Sequence, residues 1–457
     1  MQPLTSLTAT ELTAAIRDRR ISAIEALDAH LAQIARHNPT LNAVVTLDEE
    51  GARRRAREAD EALARGELWG PLHGLPMTLK DGHSTAGMRT TAGYPPLASY
   101  VPTEDGTVAA RLKTAGAIII GKTNVSQQLM DIQSNNPIFG RTDNPWNLER
   151  TSGGSSGGAC AALATGMTPL EVGSDFGGSI RIPSAFCGVF GLKTTEHRVS
   201  MAGHIPSLPG VPRTNRIMWS IGPLARSVED LALAHRIIAG PDPRDPDVPP
   251  ITPPEQPPLK LAGLRVAWAR TFPGVPVAGA ISGAIEGLAS ELDGLGARVE
   301  EVLPDVDFGE LARTRTVLSR AARVTFAPTE EEPIETLPDY FAAQDRRDDF
   351  IRTWELFFDD WDVLLCPVAM VTAFPHCETD TPLMVDGEEV NYWRVIGHCG
   401  PFNFTGHPTA VIPIGRDPEG LPIGMQIVGK RWHDERLLAI AALLAEVAGP
   451  FRWPEIV

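Results

Sequence analysis

Serine and glycine are densest between Thr151 and Thr195, where the flanks stay apolar. Gly153, Gly154, Gly157 and Gly158 surround the pair Ser155-Ser156, and a second cluster, Gly177-Gly178-Ser179, follows. Glycines let backbone N–H groups crowd toward a ligand or a developing charge, so this pattern suits a nest that stabilises an anion. Leu170, Val172, Ile180, Ile182, Phe186, Val189 and Phe190 interleave with it, which argues against a flexible linker.

Two short motifs match here and mislead. Gly153-Gly154-Ser155-Ser156-Gly157 fits the G-x-S-x-G elbow of α/β-hydrolases, but that elbow must follow an apolar strand. The residues ahead of it, 144–150, read as polar loop. Gly116 to Thr123 fits the phosphate-loop pattern letter for letter. Its variable positions are Ala117 and three isoleucines, which is the core of a strand rather than a cradle.

The ordered set of motifs resembles the amidase signature family. The GGSSGG block is Gly153 to Gly158, and Gly173-Ser-Asp175-Phe-Gly177-Gly178-Ser179-Ile-Arg181-Ile-Pro183 fits G-x-D-x-GGSIR-x-P. Gly188 to Lys193 fits G-x-x-GLK, and Gly70 to Asp81 fits the segment that ends in KD. Gly121 to Asn124, Gly140 to Trp146, Thr405 to Pro408 and Gly420 to Gly429 match as well. The likeness runs from about Leu12 to Leu444 and thins between about 240 and 390.

The resemblance implies a nucleophile, Ser179, a bridging serine in a cis peptide, Ser155, and a base, Lys80. It also implies an oxyanion hole from the backbone N–H groups of Phe176, Gly177, Gly178 and Ser179. The chemistry is coherent. A serine hydroxyl attacks only when a neighbouring base takes its proton. Lysine is such a base only when neutral, which means lowering its pKa by about 3 units, roughly 4 kcal/mol. Burial supplies that bias, and Lys80 ends an apolar run, Leu75 to Leu79, that reads as a buried strand. Ser156, Asp175 and Arg181 are expected around this core, the last two as an ion pair orienting the loop. Position beside the signature nominates Met130, Ile205, Leu208, Val211, Trp219 and Phe402 as pocket walls. These are apolar and uncharged, which favours neutral amides, esters or carbamates.

Two departures stand in the family pattern. Thr194 occupies the place of a proline and His197 that of a glycine, so a rebuilt turn is expected there. Two other functions share parts of this reading. One is the amidase-like component of an aminoacyl-tRNA amidotransferase, disfavoured by the acidic balance. The other is a Ser-His-Asp esterase using one of His73, His83, His204, His398 or His407.

The whole chain sets the limits. Its 457 residues carry 41 basic and 57 acidic side chains, a net charge of −16, which argues against a basic nucleic-acid face. No apolar window long enough for a membrane span and no secretory signal pattern is present, so a cytoplasmic protein is expected. Five scattered cysteines lack metal spacing, so neither zinc site nor other cofactor is expected. The partner expected is a small-molecule substrate, with the chain a monomer or homodimer.

Helices are expected over 8–37, 47–65, 107–115, 180–187, 227–238, 281–292, 350–362 and 435–447. Strands are expected near 77–79, 118–120, 264–268, 363–366, 410–414 and 425–428. Their alternation predicts an α/β fold with a mixed, largely parallel central sheet wrapped by helices. One domain, 1–457, is expected, with a signature core at 65–240 and a crossover at 241–258 holding nine prolines in eighteen residues. A variable helical part at 259–400 and C-terminal elements at 401–457 complete it.

Overall fold

The computed structural model describes residues 3–205, 213, 216–253, 258–323 and 336–456. It opens with two helices, α1 (Ala9–Arg17) and α2 (Ala23–Leu41), where periodicity alone suggested one. Thr8 and Ser22 each cap the helix that follows, accepting the N–H of Glu11 and Glu25, while those carboxylates reach back to the cap N–H. This reciprocal box ends one helix and starts the next although the apolar stripe continues through. Between the helices Arg19 is left-handed.

A small sheet follows, from β1 (Val44–Leu47), β2 (Pro76–Lys80) and β3 (Ile118–Thr123), with α3 (Glu49–Ala64) and α4 (Thr107–Thr114) on its connections. β2 pairs parallel with β3, and β1 antiparallel with β3. Every residue of β2 and β3 is buried. The phosphate-loop pattern therefore lies largely in a strand. A Cβ on Gly121 would stand 2.2 Å from the Thr46 carbonyl, so that glycine serves strand packing.

The main sheet has eight strands. In chain order they are β4 (Leu170–Asp175), β5 (Phe190–Lys193), β6 (Ser220–Ala225), β7 (Arg265–Trp268), β8 (Arg298–Glu301), β9 (Val363–Pro367), β10 (Thr409–Arg416) and β11 (Pro422–Val428). Their spatial order is β8-β7-β9-β11-β10-β5-β6-β4. The α/β class and the mixed sheet are as expected. Parallel pairing is confined to β8-β7-β9, and the other neighbours run antiparallel. Short returns such as the β10–β11 turn allow only antiparallel neighbours, whereas parallel ones need a long crossover.

Around the sheets lie α5 (Gly157–Ala164), α6 (Arg181–Cys187), α7 (Val228–Ile238), α8 (Gly279–Gly294), α9 (Phe308–Arg323), α10 (Leu337–Asp360), α11 (Gly400–Phe404) and α12 (Asp434–Ala448). α10 is longer than the 350–362 expected, because a Thr336–Asp339 capping box starts it well before Phe350. The described part of the proline-rich stretch 241–258 crosses without helix or strand. One apolar core joins faces of β2, β4, β5, β6, β7, β9, β10 and β11 to helices α1, α4, α7, α8 and α12. The active-site candidates sit where β2 and β4 run side by side.

Candidate active site

β2 delivers Lys80 to the interior, and its side chain has no exposed surface. Lys80 Nζ lies within hydrogen-bonding distance of Ser155 Oγ (2.8 Å), Ser156 Oγ (2.7 Å), Ser174 Oγ (3.1 Å) and the Ser174 carbonyl oxygen (3.3 Å). Burial pushes the lysine down to about 7 from an ordinary 10.5, partly opposed by Asp175 and Glu171. A neutral amine has two N–H groups and one lone pair, so here it can donate twice and still accept the Ser155 proton. On taking that proton it gains a third donor, and a fourth oxygen is already within reach. Both protonation states are thus satisfied in place.

The serine pair is held by close backbone packing. Gly154–Ser155 is a cis peptide, and a Cβ on Gly154 would stand 2.7 Å from the Gln133 N and 2.8 Å from the Asp131 carbonyl oxygen. α5 begins directly after Ser156, with small residues that are all buried. The stretch ahead, read as loop, is a polar ribbon in which Asp143–Asn144 pairs with Asn147–Thr151. It belongs to neither central sheet, so the α/β-hydrolase elbow is absent from this position.

β4 carries Ser174 and Asp175, and the turn from Phe176 to Ile180 leads into α6. Asp175 organises that turn. Its carboxylate accepts the N–H of Gly178 at 2.8 Å and of Ile180 at 3.0 Å, and pairs with the Arg181 guanidinium at 2.9 Å. Asn403 donates to it at 2.9 Å. Burial works against the charge, yet Arg181 and these donors hold Asp175 well below the usual carboxylate range. Gly178 has φ +124°, and a Cβ there would stand 2.7 Å from Ile182 Cδ1, so only glycine fits. Because the Gly178 N–H is spent on Asp175, it is not free for an oxyanion, a correction to the four-donor nest. The N–H groups of Phe176, Gly177 and Ser179 have no acceptor among the described residues. Ser179 itself is half-buried two residues ahead of α6.

The pocket nominations divide. Trp219 is buried and stacks on Phe176, with ring centroids 4.8 Å apart and planes at 27°. Ile205 packs with Ala92, Val125 and Leu129 near the end of β3. Met130 lines a cleft with Asp131 and Gln133, behind the Gly154 backbone. Phe402 is a correction: it is wholly buried against Trp354 and Phe272 and forms core, not wall. Leu208 and Val211 lie outside the described residues.

His197 has a left-handed backbone, at φ +62°, a region that glycine adopts most readily. Beside it, buried Glu196 pairs with Arg347 of α10 and accepts the Met218 N–H. Among the described residues no histidine hydrogen-bonds Ser155, Ser156, Ser174 or Ser179. Burial pushes His83 and His204 well below their ordinary value, and raises the Cys160 and Cys187 thiols, so these four stay uncharged. Two residues escaped sequence reasoning. Ser174, a third hydroxyl on Lys80, was legible as the strand residue before Asp175. Arg315 carries no motif; its guanidinium lies against Gly177.

The Amidase family model matches residues 25–325 and 312–438. The chain belongs to the amidase family. This amidase is 35% identical over 484 residues to a glutamyl-tRNA(Gln) amidotransferase component of Roseiflexus sp. (strain RS-1), covering 96% of each chain. It is 34% identical over 469 residues to the indoleacetamide hydrolase of Bradyrhizobium diazoefficiens (98% of this chain, 87% of that one). Its fold matches a solved bacterial aryl acylamidase of the amidase signature family at TM-score 0.83 and 28% identity, covering 100% of this chain and 98% of that one. As an amidase it is a hydrolase of amide C–N bonds. Among its described residues no helix is long and apolar enough to cross a membrane.

Proposed function

We propose that this amidase cleaves carboxamides, and with the same machinery esters or carbamates, through an acyl-enzyme on Ser179. Lys80, lowered to about 7, supports the reading most directly, because it is a buried base already bonded to Ser155. Lys80 takes the Ser155 proton as Ser155 takes that of Ser179, and the Ser179 oxygen adds to the carbonyl carbon. The negative charge passes to the carbonyl oxygen, which the N–H groups of Phe176, Gly177 and Ser179 can meet. Return of the proton through Ser155 to the leaving nitrogen lets the C–N bond break. Water repeats the sequence on the ester and frees Ser179.

A fluorophosphonate probe tests the nucleophile. It is expected to label wild type at Ser179 and not Ser179→Ala, which also loses turnover while keeping its fold. Labelling at Ser155 would overturn the assignment.

The reading as an amidotransferase component has one support, the relatives of that name at similar identity. Its test is co-purification of the untagged chain with further polypeptides and glutamine-dependent amide transfer. The acidic charge favours a free-standing hydrolase.

A further inference from the structure

Four ionisable side chains are shut in together where β2, β3 and β4 meet. Lys80 and Lys122 stand on β2 and β3, Asp81 follows Lys80, and Glu171 stands on β4; none has exposed surface. Lys122 gives its ammonium to the His83 carbonyl and to Thr85 Oγ1. Asp81 accepts the Thr91 N–H at 2.9 Å, and among charges it and Lys122 act most strongly on each other. Glu171 is held differently. Its Oε1 accepts the Thr123 hydroxyl at 3.0 Å and its Oε2 the Val172 N–H at 3.1 Å. Among the described residues no cation lies within ion-pair distance of it.

Strand pairing brings that carboxyl to Lys80. Thr123, whose hydroxyl holds it, is the register partner of Lys80 in the parallel ladder of β2 and β3. Neighbouring strands lie about 4.8 Å apart, and register partners direct their side chains to the same face. Lys80 and Thr123 therefore leave the small sheet together, and the Glu171 carboxyl is bonded to one of the two.

We propose that Glu171 is a positioning residue of the reaction, the counter-charge that steadies the Lys80 ammonium whenever the serine proton arrives. The inference rests on Lys80 as base and adds the anion against which it works. An ammonium formed in a dry interior is costly, and an opposite charge nearby lowers that cost. Asp175 also bears on Lys80, but Arg181 already meets its charge at 2.9 Å. Asp81 is engaged with Lys122, so Glu171 is the carboxylate left to answer Lys80. Burial pushes the Glu171 carboxyl up to about 7, so it ionises over the same range as Lys80 and the two titrate as a coupled pair. The other titratable groups that bear on them are the Cys160 thiol of α5 and the His83 and His204 rings, which burial keeps uncharged.

The pH profile of kcat/KM tests this. Glu171→Gln keeps the shape and removes the charge. Its midpoint is expected to fall below that of wild type by about half a unit or more, because Lys80 loses the anion that favours its charged form. At pH 6 the variant should therefore hold a share of its own alkaline plateau about threefold larger than wild type does, and Glu171→Asp should stay near the wild-type midpoint. A side chain that only supports the fold would lower kcat/KM at every pH and leave the midpoint in place. A midpoint unmoved or raised in Glu171→Gln overturns the proposal. If Glu171→Gln does not fold, Thr123→Val decides: without that hydroxyl the carboxyl ionises less readily, so the midpoint should fall here too, and an unmoved one overturns the proposal. A wild type that labels at Ser179 and rises through about 7, with no shift in the variants, sinks only this inference. A wild-type profile flat from pH 6 to 9 removes Lys80 as base and takes this inference with it.

Discussion

The Asp175 carboxylate and the Arg181 guanidinium meet at 2.9 Å with neither side chain exposed. Their pairing reaches both ways. Asp175 gathers the N–H groups of Gly178 and Ile180, while Arg181 donates to the Cys399 carbonyl and Gln426 Oε1. A turn rich in glycine is thereby fixed to two other elements, and the N–H groups proposed to meet the oxyanion gain a rigid frame.

Removing one partner of such a pair leaves a buried, uncompensated charge. Asp175→Asn is expected to cost about 3–5 kcal/mol in urea denaturation, or to prevent folding. A loss below about 1 kcal/mol would show that the pair carries little of the turn's stability.

Rate should follow the lysine. Only neutral Lys80 accepts a proton, and its value is held to about 7 by burial. Wild-type kcat/KM is therefore expected to be low at pH 6, to rise through about 7 and to level above 8. A profile flat from pH 6 to 9 would remove lysine from the role of base.

The two tasks of Lys80 separate by leaving group. An amide nitrogen must be protonated before it departs, whereas a nitrophenolate leaves as a stable anion. General acid–base assistance is worth about 10²–10⁴-fold per group. Lys80→Ala is expected to reduce kcat/KM for an anilide more than for the matched nitrophenyl ester. Equal losses would mean that lysine acts as base alone.

A second enclosed lysine gives a stability test away from the chemistry. Lys193 donates to the His407 and Thr194 carbonyls, and burial pushes it down to about 7. Its folded value lies below its unfolded one, so between the two the unfolded chain binds more protons and stability rises with pH. The wild-type advantage over Lys193→Met should therefore grow by about 1.4 kcal/mol per pH unit from about 7 toward 10. Taking the difference cancels the other titrating groups. An advantage independent of pH would place a charged Lys193 in the fold.

Part of the candidate site was legible because motif and strand pattern coincide at Lys80 and Asp175, while Ser155 and Ser179 were legible from the motifs alone. The KD segment ends an apolar run, and that is why burial of Lys80 could be foreseen. The break between α1 and α2 was also written, in Ser22 and Glu25, but the continuing apolar stripe masked it. Phe402 misled because position beside the signature says nothing about which way a helix residue faces. Arg315 could not be read at all: a lone arginine on an amphipathic helix looks like solvated surface until α9 is laid across Gly177. Gly178's engagement by Asp175 depends on turn geometry, which composition does not fix.

The β10–β11 hairpin sits in the middle of the main sheet, between β9 and β5, though it comes from residues 409–428. On the ribosome, β4 to β9 emerge first, yet β5 and β9 lack their shared neighbours until that hairpin is made. Two unpaired sheet edges, each apolar and ready to join a foreign strand, thus await the last tenth or so of translation. Slow translation or chaperone limitation should cost soluble yield through this gap, and a coexpressed 401–457 segment should rescue a chain truncated at 400.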